Sequence, residues 1–349
     1  MNKTRNTVLK AIFAICLLQI HILTTAQEPL RGEKQKIDTS YIQSYYGDLT
    51  LGLSIPRKYV DFSLNDIQND QDLEYQPNSN ISVGIKGAYK WLGLSVGFGL
   101  PHTSENIDRY GKTERLDIQL NAYLRKFVID GYLQYYQGFY LNNMDSYFDN
   151  FDQNEMNYYQ RPDLTFANVG ISARYIWNYN KFSYKAAYDF NEKQKKGSGS
   201  LVTGIFGFVN GASADSLVVP AFVRDEFSDQ ALFSNVSSIN LGISVGYIYT
   251  FVIAKHFFIT AGVVPGLGLQ AYSAIDTEEN TVLSKGGLGI STTSRIALGY
   301  NKKRFYMAFT GVSGSSNLIN KDITAINFGY GNVRFTVGYR FNVKKQKEL

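Results

Sequence analysis

Val333-Arg334-Phe335-Thr336-Val337-Gly338-Tyr339-Arg340-Phe341, near the C-terminus, is the stretch of sequence that decides the fold. Its odd-numbered positions carry Val, Phe or Tyr, and its even-numbered positions carry Arg, Thr or Gly. Successive side chains of a β-strand point to opposite faces, so this segment would have one apolar face and one cationic face. The pattern is typical of the last strand of a membrane β-barrel, although a surface strand of a soluble sandwich alternates in the same way.

The first 26 residues predict a secretory signal peptide, because basic residues precede an apolar run at 11–23 and Ala26 offers a cleavage site. The run is too short for a membrane-spanning helix. Cys16, the only cysteine, lies inside it, so disulfides and cysteine metal sites are excluded from the mature chain. Cleavage leaves 32 basic against 30 acidic residues, and this near balance gives no support for nucleic-acid binding.

The composition favours strands that meet lipid on one face. The chain has 26 Tyr, 23 Phe and 31 Gly but only 7 Pro, and apolar and polar residues alternate in most segments after residue 48. We therefore expect an all-β fold, a transmembrane antiparallel up-and-down β-barrel over 48–341. A short periplasmic segment at 27–47 is predicted before it, and a basic tail at 342–349 after it.

The connections between the predicted strands differ in length and in charge. Five tight turns contain Lys or Arg and no acidic residue, whereas the longer connections hold most of the acidic residues. The tight turns fall near 90–91, 125–126, 179–181, 254–256 and 301–304. Short turns at one rim and long loops at the other are the pattern of outer-membrane barrels, with the short side periplasmic. A soluble sandwich gives no reason for this sorting.

Parity predicts the number of strands. Alternation marks about thirteen strands, one of them at 182–189, and single-chain bacterial barrels have an even number. Counting from the two ends places the turn at 254–256 on opposite rims, so one more strand is required between 201 and 240. The best candidate is 216–223, which gives fourteen strands. Pro220 weakens that strand, so twelve is kept as the alternative.

Two runs, Asn-Lys-Phe-Ser-Tyr-Lys-Ala-Ala at 180–187 and Glu-Lys-Gln-Lys-Lys-Gly-Ser-Gly-Ser at 192–200, resemble a segment of an uncharacterised family. The stretches 89–92 and 216–220 and the closing strand fit the same domain-of-unknown-function family. The resemblance covers nearly the whole mature chain. It implies a secreted outer-membrane barrel of a Bacteroidota-type Gram-negative bacterium, and it implies no activity, substrate or catalytic residue.

Ten charged side chains are predicted to point into the barrel lumen. They are Lys86, Arg115, Asp117, Asp130, Arg174, Lys185, Asp189, Arg295, Arg334 and Arg340. Opposite charges can pair across the interior, or the surplus of cations can attract anionic solutes and lipopolysaccharide-like groups. On the closing strand, the side chains predicted to face lipid are Phe335, Val337, Tyr339 and Phe341.

Catalytic groups are scarce, because only His102 and His256 follow the signal peptide. His256 lies in a basic tight turn, where a solvated residue is expected. His102 lies in a long loop beside hydroxyl and acidic residues, but neighbours on one loop rarely reach the geometry of a nucleophile and its base. We therefore expect no enzyme, no cofactor and no metal site.

The sequence thus predicts a passive channel, or a structural and interaction barrel, in the outer membrane. The expected partners are outer-membrane lipid and lipopolysaccharide, and the barrel-assembly machinery during biogenesis. Nucleic acid is not expected, and no solute is indicated. Two alternatives are a barrel enzyme that acts on lipid or peptide at the extracellular rim, and a soluble periplasmic sandwich.

Overall fold

A computed structural model describes residues 37–79, 81–89, 92–153, 155–278, 280–318 and 324–342. The predicted signal peptide, the predicted turn at 90–91 and the tail after Asn342 lie outside the described residues. The strands are β1 Ile42–Ser44, β2 Asp48–Asp66, β3 Gln71–Gln76, β4 Ser82–Tyr89, β5 Leu92–Gly99, β6 Glu114–Tyr123, β7 Phe127–Leu141, β8 Gln160–Ile176, β9 Glu192–Gln194, β10 Ser198–Ser213, β11 Asn235–Ile253, β12 Phe257–Ile275, β13 Thr281–Asn301, β14 Phe305–Leu318 and β15 Thr324–Asn342. Two helices, α1 Ser104–Tyr110 and α2 Tyr184–Tyr188, interrupt them. None of the described helices has the length and apolarity needed to cross a membrane.

The sheet closes into a ring of ten antiparallel strands, in the order β2, β3, β7, β8 and β10 to β15. Strand β15 pairs with β2 over the whole length of both, from Thr324 opposite Asp66 to Asn342 opposite Asp48. The segment at 333–341 is therefore the closing strand, as its alternation predicted. Strands β4 and β5 extend from β2, and β6 pairs with β7. The predicted count of fourteen strands is not confirmed.

The outer face of the ring is apolar. Ile205, Ile243 and Leu269 on three neighbouring strands are 63%, 68% and 70% exposed, whereas Asn240 and Thr260 on the opposite face are fully buried. Exposed aliphatic residues that form a continuous belt do not suit a surface in water. The belt suits contact with lipid, where a closed barrel satisfies its backbone hydrogen bonds internally.

Two segments of the chain fill the lumen, one at each end. The short-turn plug, residues 177–197, connects β8 to β10 at the end of the tight turns and contains α2. The long-loop plug, residues 214–234, connects β10 to β11 at the opposite end. Each plug packs into its own apolar cluster, with Phe182 fully buried in the first and Phe233 fully buried in the second.

The prediction of a strand at 182–189 is wrong, because these residues form α2. The Ser183 hydroxyl caps the helix by accepting a hydrogen bond from the Ala186 amide at 3.1 Å. Tyr184, Ala187 and Tyr188 are all buried, since the barrel wall surrounds the helix. A helix that is buried on every side has no polar face, so its apolar residues need not recur every three to four positions. The alternation of apolar residues at 182–189 arose by chance and resembled the pattern of a strand.

The prediction of a strand at 216–223 is also wrong. This stretch runs inside the barrel and then forms a 3₁₀ turn at Ala221–Glu226. Wall side chains bond its backbone: the Tyr75 hydroxyl donates to the Val218 carbonyl at 2.6 Å, and Arg161 Nη1 donates to the Leu217 carbonyl at 2.9 Å. Irregular backbone can be buried when side chains replace its ladder partners. An even number of strands is therefore reached by removing the predicted strand at 182–189 from the thirteen, and not by adding a strand at 216–223.

Candidate functional site

A cluster of charges joins opposite walls of the barrel. The Asp130 carboxylate on β7 is fully buried and accepts a hydrogen bond from Arg174 Nη1 on β8 at 2.9 Å. It also forms an ion pair with Arg295 on β13, which three strands separate from β8 in the ring. Arg174 Nη2 donates to the Thr293 hydroxyl, also on β13, at 2.9 Å. These contacts span the lumen, and both arginines share one carboxylate there.

The short-turn plug rests on this cluster. Arg295 Nη1 donates to the Tyr123 hydroxyl at 3.2 Å, and its guanidinium lies 5.7 Å from the ring centroid of Tyr188 on α2. The same guanidinium lies 6.0 Å from the ring of Tyr184. Cation–π contacts of this kind are strongest where water is excluded. The plug helix therefore depends on a charge contributed by the wall.

Arg340 of the closing strand ties the plug to the wall. Its side chain is 1% exposed, and its Nε donates to the Phe190 carbonyl of the plug at 2.6 Å. Nη1 donates to the Lys302 carbonyl at 2.6 Å, and Nη2 donates to Asn301 Oδ1 at 2.7 Å. The guanidinium also lies 4.2 Å from the centroid of the Tyr45 ring. Plug, wall and an aromatic ring thus converge on one guanidinium cation.

The other predicted lumen residues have separate places. Lys86 on β4 donates to the Tyr188 carbonyl of the plug, and its Nζ is 3.6 Å from the Asp189 carboxylate. Lys185 and Asp189 belong to the plug, so their predicted position on a wall strand is wrong. The remaining three are Arg115 and Asp117 on β6 and Arg334 on β15, all partly buried.

The wall is irregular beside β6. Among the described strands, no ladder joins β5 to β6, and side chains bridge the gap instead. Lys58 Nζ on β2 donates to the Asp117 carbonyl at 2.8 Å and lies 3.0 Å from its carboxylate. Arg115 Nη2 donates to the Ser82 hydroxyl of β4 at 3.2 Å. This part of the wall is therefore closed by side chains and not by backbone hydrogen bonds.

Strand β2 has a free edge at the same place. Its residues 50–54 pair with β4, and its residues 62–66 pair with β3, so no described ladder covers 55–61 on that side. An outward-facing cleft of about 840 Å³ lies against this edge. Its walls come from β2, from residues 76–79 after β3, from α1 with the loop before it, and from Tyr140, Asn142 and Tyr158.

A β-bulge in β7 turns one aromatic residue into the cleft. The register with β8 shifts between Gln137 and Phe139, and Gly138 has a φ of +90°. Before the bulge, even-numbered residues such as Tyr136 are buried, whereas after it Phe139 and Leu141 are buried and Tyr140 lines the outward cleft. A bulge that reorients a side chain is a recurrent device near binding sites.

Replacing Gly138 with Ala is expected to lower the free energy of unfolding by about 1–3 kcal/mol. A Cβ at this position would lie 2.1 Å from the Lys112 carbonyl oxygen, in a backbone conformation that L-residues rarely adopt. Urea unfolding in lipid vesicles measures the effect. Gly87→Ala is the control, because a Cβ there meets only Leu51 Cδ2, at 3.6 Å. Equal stabilities of the two variants would contradict the strain that we assign to the bulge.

Three tyrosines form one wall of the cleft. The ring centroids of Tyr110 at the end of α1, Tyr140 on β7 and Tyr158 lie 5.0–5.1 Å from one another. Thr103 caps α1 by accepting from the Asn106 amide at 3.2 Å, and this fixes the start of the helix that carries Tyr110. Burial raises the pKa of the Tyr158 phenol, and Tyr110 raises it further, so this hydroxyl keeps its proton.

The two histidines lie far apart in the fold. His102 lines the cleft just before α1, and no hydrogen bond in the described part of the chain joins it to a hydroxyl or a carboxylate. His256 lies in the turn between β11 and β12, where its Nδ1 is 2.8 Å from Lys193 Nζ. Desolvation lowers the pKa of His256, and Lys193 lowers it further, which keeps the ring neutral near neutral pH.

Sequence reasoning missed the cleft entirely. Tyr140 lies after the β7 bulge, which reverses the face that its side chain would have in a regular strand. Arg57, Tyr59 and Asp61 continue the alternation of β2, and nothing in that pattern indicates that the strand edge beside them is free. A glycine between two aromatic-rich stretches, at 138, was the one local signal of a bulge. Nothing in the sequence shows that β4 separates from β2 after Ser54.

Solved outer-membrane proteins resemble the chain only distantly. The protease OmpT from Escherichia coli is 7% identical with a TM-score of 0.37, covering 86% of this chain and 98% of its own. The translocator domain of the autotransporter NalP from Neisseria meningitidis is 10% identical with a TM-score of 0.32, covering 95% and 98%. The Pseudomonas putida toluene transporter TodX is 9% identical with a TM-score of 0.21, covering 84% and 90%. Similarity this low indicates nothing about activity or substrate.

No curated protein matches the chain. A family match covers nearly all of the barrel, from residue 36 to residue 341. The family is described as a domain of unknown function (DUF4421), and the chain belongs to it.

Proposed function

We propose that this protein is an outer-membrane barrel with a closed lumen, and that it serves the cell envelope as a structural and interaction protein and not as a passive channel. The observation that carries this proposal is the filling of the lumen from both ends. The short-turn plug and the long-loop plug are each packed in an apolar cluster, and the Asp130 cluster crosses the interior. A diffusion pore needs a continuous water-filled path, and plugs packed at both ends of the lumen support a barrel without one.

The membrane location is supported by the outer face of the ring. A soluble sandwich has two open sheets with edges, whereas β15 pairs with β2 and closes this sheet. The exposed face carries aliphatic and aromatic residues from strand to strand, including Phe335, Tyr339 and Phe341 of the closing strand. The signal peptide predicted at 1–26 agrees with export, and the tight turns then belong to the periplasmic rim.

The charges of the interior argue against an anion-selective pore. The predicted surplus of cations would attract anions only if those cations met water. Arg174, Arg295 and Arg340 are each about 96–99% buried and bonded to protein groups. Lys86 is bonded to the backbone of the short-turn plug. Arg174 joins two wall strands, and Arg295, Arg340 and Lys86 join the short-turn plug to the wall.

A vesicle-leakage experiment tests the closed lumen. Protein reconstituted in phosphatidylcholine vesicles should release no entrapped small dye, and planar bilayers should show no stable conductance steps. Incorporation is checked in the same vesicles by heat-modifiable gel migration, and a general porin at equal density is the positive control. Regular ohmic steps that scale with incorporated protein would overturn the proposal.

We also propose that the protein is not an enzyme. His102 has the position at the rim that a hydrolase would use, but it lacks the hydroxyl and carboxylate partners of a triad among the described residues. Incubation with lipid and peptide substrates should therefore give the same background for the wild type and for His102→Ala. Turnover by the wild type above that background would contradict the proposal, and its loss in His102→Ala would place the site at His102.

A further inference from the structure

The cleft on β2 begins where the apolar belt ends. Ile55 on β2 and its ladder partner Phe335 on β15 are outward, apolar and 40–48% exposed. Two residues further along β2, the outward side chains become Arg57, then Tyr59 and Asp61, all of which line the cleft. A ligand in this cleft would therefore lie beside the barrel, at the boundary between the apolar belt and the polar rim.

The lining of the cleft combines aromatic rings with amides and a carboxylate. The rings of Tyr110, Tyr140 and Tyr158 contact one another along one wall of the cleft, and each ring carries a hydroxyl group. Gln76 and Asn106 lie at the same cleft with Asp61. Sugars match this combination, because one face of a pyranose ring exposes only C–H groups while its edge carries adjacent hydroxyls that donate and accept.

The free edge of β2 supplies polar groups to the cleft. No described ladder covers residues 55–61 on this side, so backbone donors and acceptors of this edge are left at the cleft.

We propose that this cleft binds a saccharide, and that a glycolipid of the surrounding leaflet supplies it as a headgroup. The leaflet as source rests on the proposed outer-membrane location, whereas the saccharide chemistry does not. A phospholipid without a sugar fits less well, since the described lining offers hydroxyls, amides and the Asp61 carboxylate to a sugar but a single arginine, Arg57, to a phosphate. Acyl chains would stay on the belt below, against residues such as Ile55.

Binding is tested on the purified protein in a detergent without sugar, such as lauryldimethylamine oxide, because maltoside detergents are themselves ligand candidates. Short-core lipopolysaccharide, the deacylated core oligosaccharide and phosphatidylglycerol are titrated separately, with native mass spectrometry to count bound molecules. We expect saturable binding of the lipopolysaccharide and none of the phosphatidylglycerol. If the free oligosaccharide binds equally well, the saccharide site stands and the ligand is soluble.

Two variants with matched controls assign the site. Tyr110→Leu and Asp61→Asn should each weaken lipopolysaccharide binding by roughly tenfold or more, because each removes a central contact. Tyr247→Leu on the exposed face of β11 and Asp149→Asn in the loop after β7 should bind as the wild type does. Equal binding of all four variants, or equal binding of phosphatidylglycerol, would overturn the proposal. Dye leakage is unaffected by either result, so the closed lumen is judged separately.

Discussion

Asp130→Asn is expected to lower the free energy of unfolding by about 3–5 kcal/mol, because it leaves two buried arginines without their common carboxylate. Arg174 and Arg295 are both about 96% buried, so water cannot solvate either guanidinium in place of the lost carboxylate. The substitution keeps the shape of the side chain, and the loss therefore reports the charge. Urea unfolding in lipid vesicles, followed by the fluorescence of the two tryptophans, measures the change.

The control for this prediction is Glu114→Gln. Glu114 also pairs with a cation, Lys112 at 2.8 Å, but both side chains are largely exposed. Exposed pairs contribute little to stability, so the unfolding midpoint should not move. A midpoint for Asp130→Asn that equals the control would mean that the ion pairs across the lumen do not hold the walls together.

Arg340→Ala is expected to release the short-turn plug. The change leaves the Phe190 carbonyl and Asn301 Oδ1 without their donor, and each unsatisfied buried acceptor costs about 1–3 kcal/mol. The Lys302 carbonyl loses its donor as well, but Lys302 lies in an exposed turn. The loss falls where the plug meets the closing strand. Amide hydrogen exchange should therefore accelerate over 182–194, with a lower global stability as well.

The long-loop plug is the internal reference for this experiment, since residues 217–230 do not contact Arg340 through any hydrogen bond of the described structure. Their exchange should change little. Arg304→Ala is the matched control, because the Arg304 side chain is exposed and, among the described residues, donates only to the Tyr339 hydroxyl, at 3.3 Å. Equal acceleration in both plugs would show that Arg340 stabilises the barrel as a whole and does not anchor one segment.

The wall of the barrel was predictable because its strands have one face toward the outside and one toward the interior, and this difference appears in the sequence as alternation of apolar and polar residues. Val333 to Phe341 shows this most directly, since its apolar side chains face outward and Arg340 faces inward. The plugs were not predictable in the same way. Tyr184 and Val218 are surrounded by protein on all sides, so no periodic pattern distinguishes their segments from strands. Parity detected an error of one strand but could not show which segment caused it.

The sequence by itself determined that a closed apolar-faced sheet forms and which side chains of its strands turn inward, because a period of two is a local property of the backbone. Only the tertiary structure decided what those inward groups meet. Asp130 lies 165 residues from Arg295, and Arg340 lies 150 residues from Phe190. Partners so distant are set by the curvature of the ring and by the two plugs. The cleft on β2 likewise depends on where β4 leaves its neighbour and on one bulge in β7, which are features of strand pairing and not of any single segment.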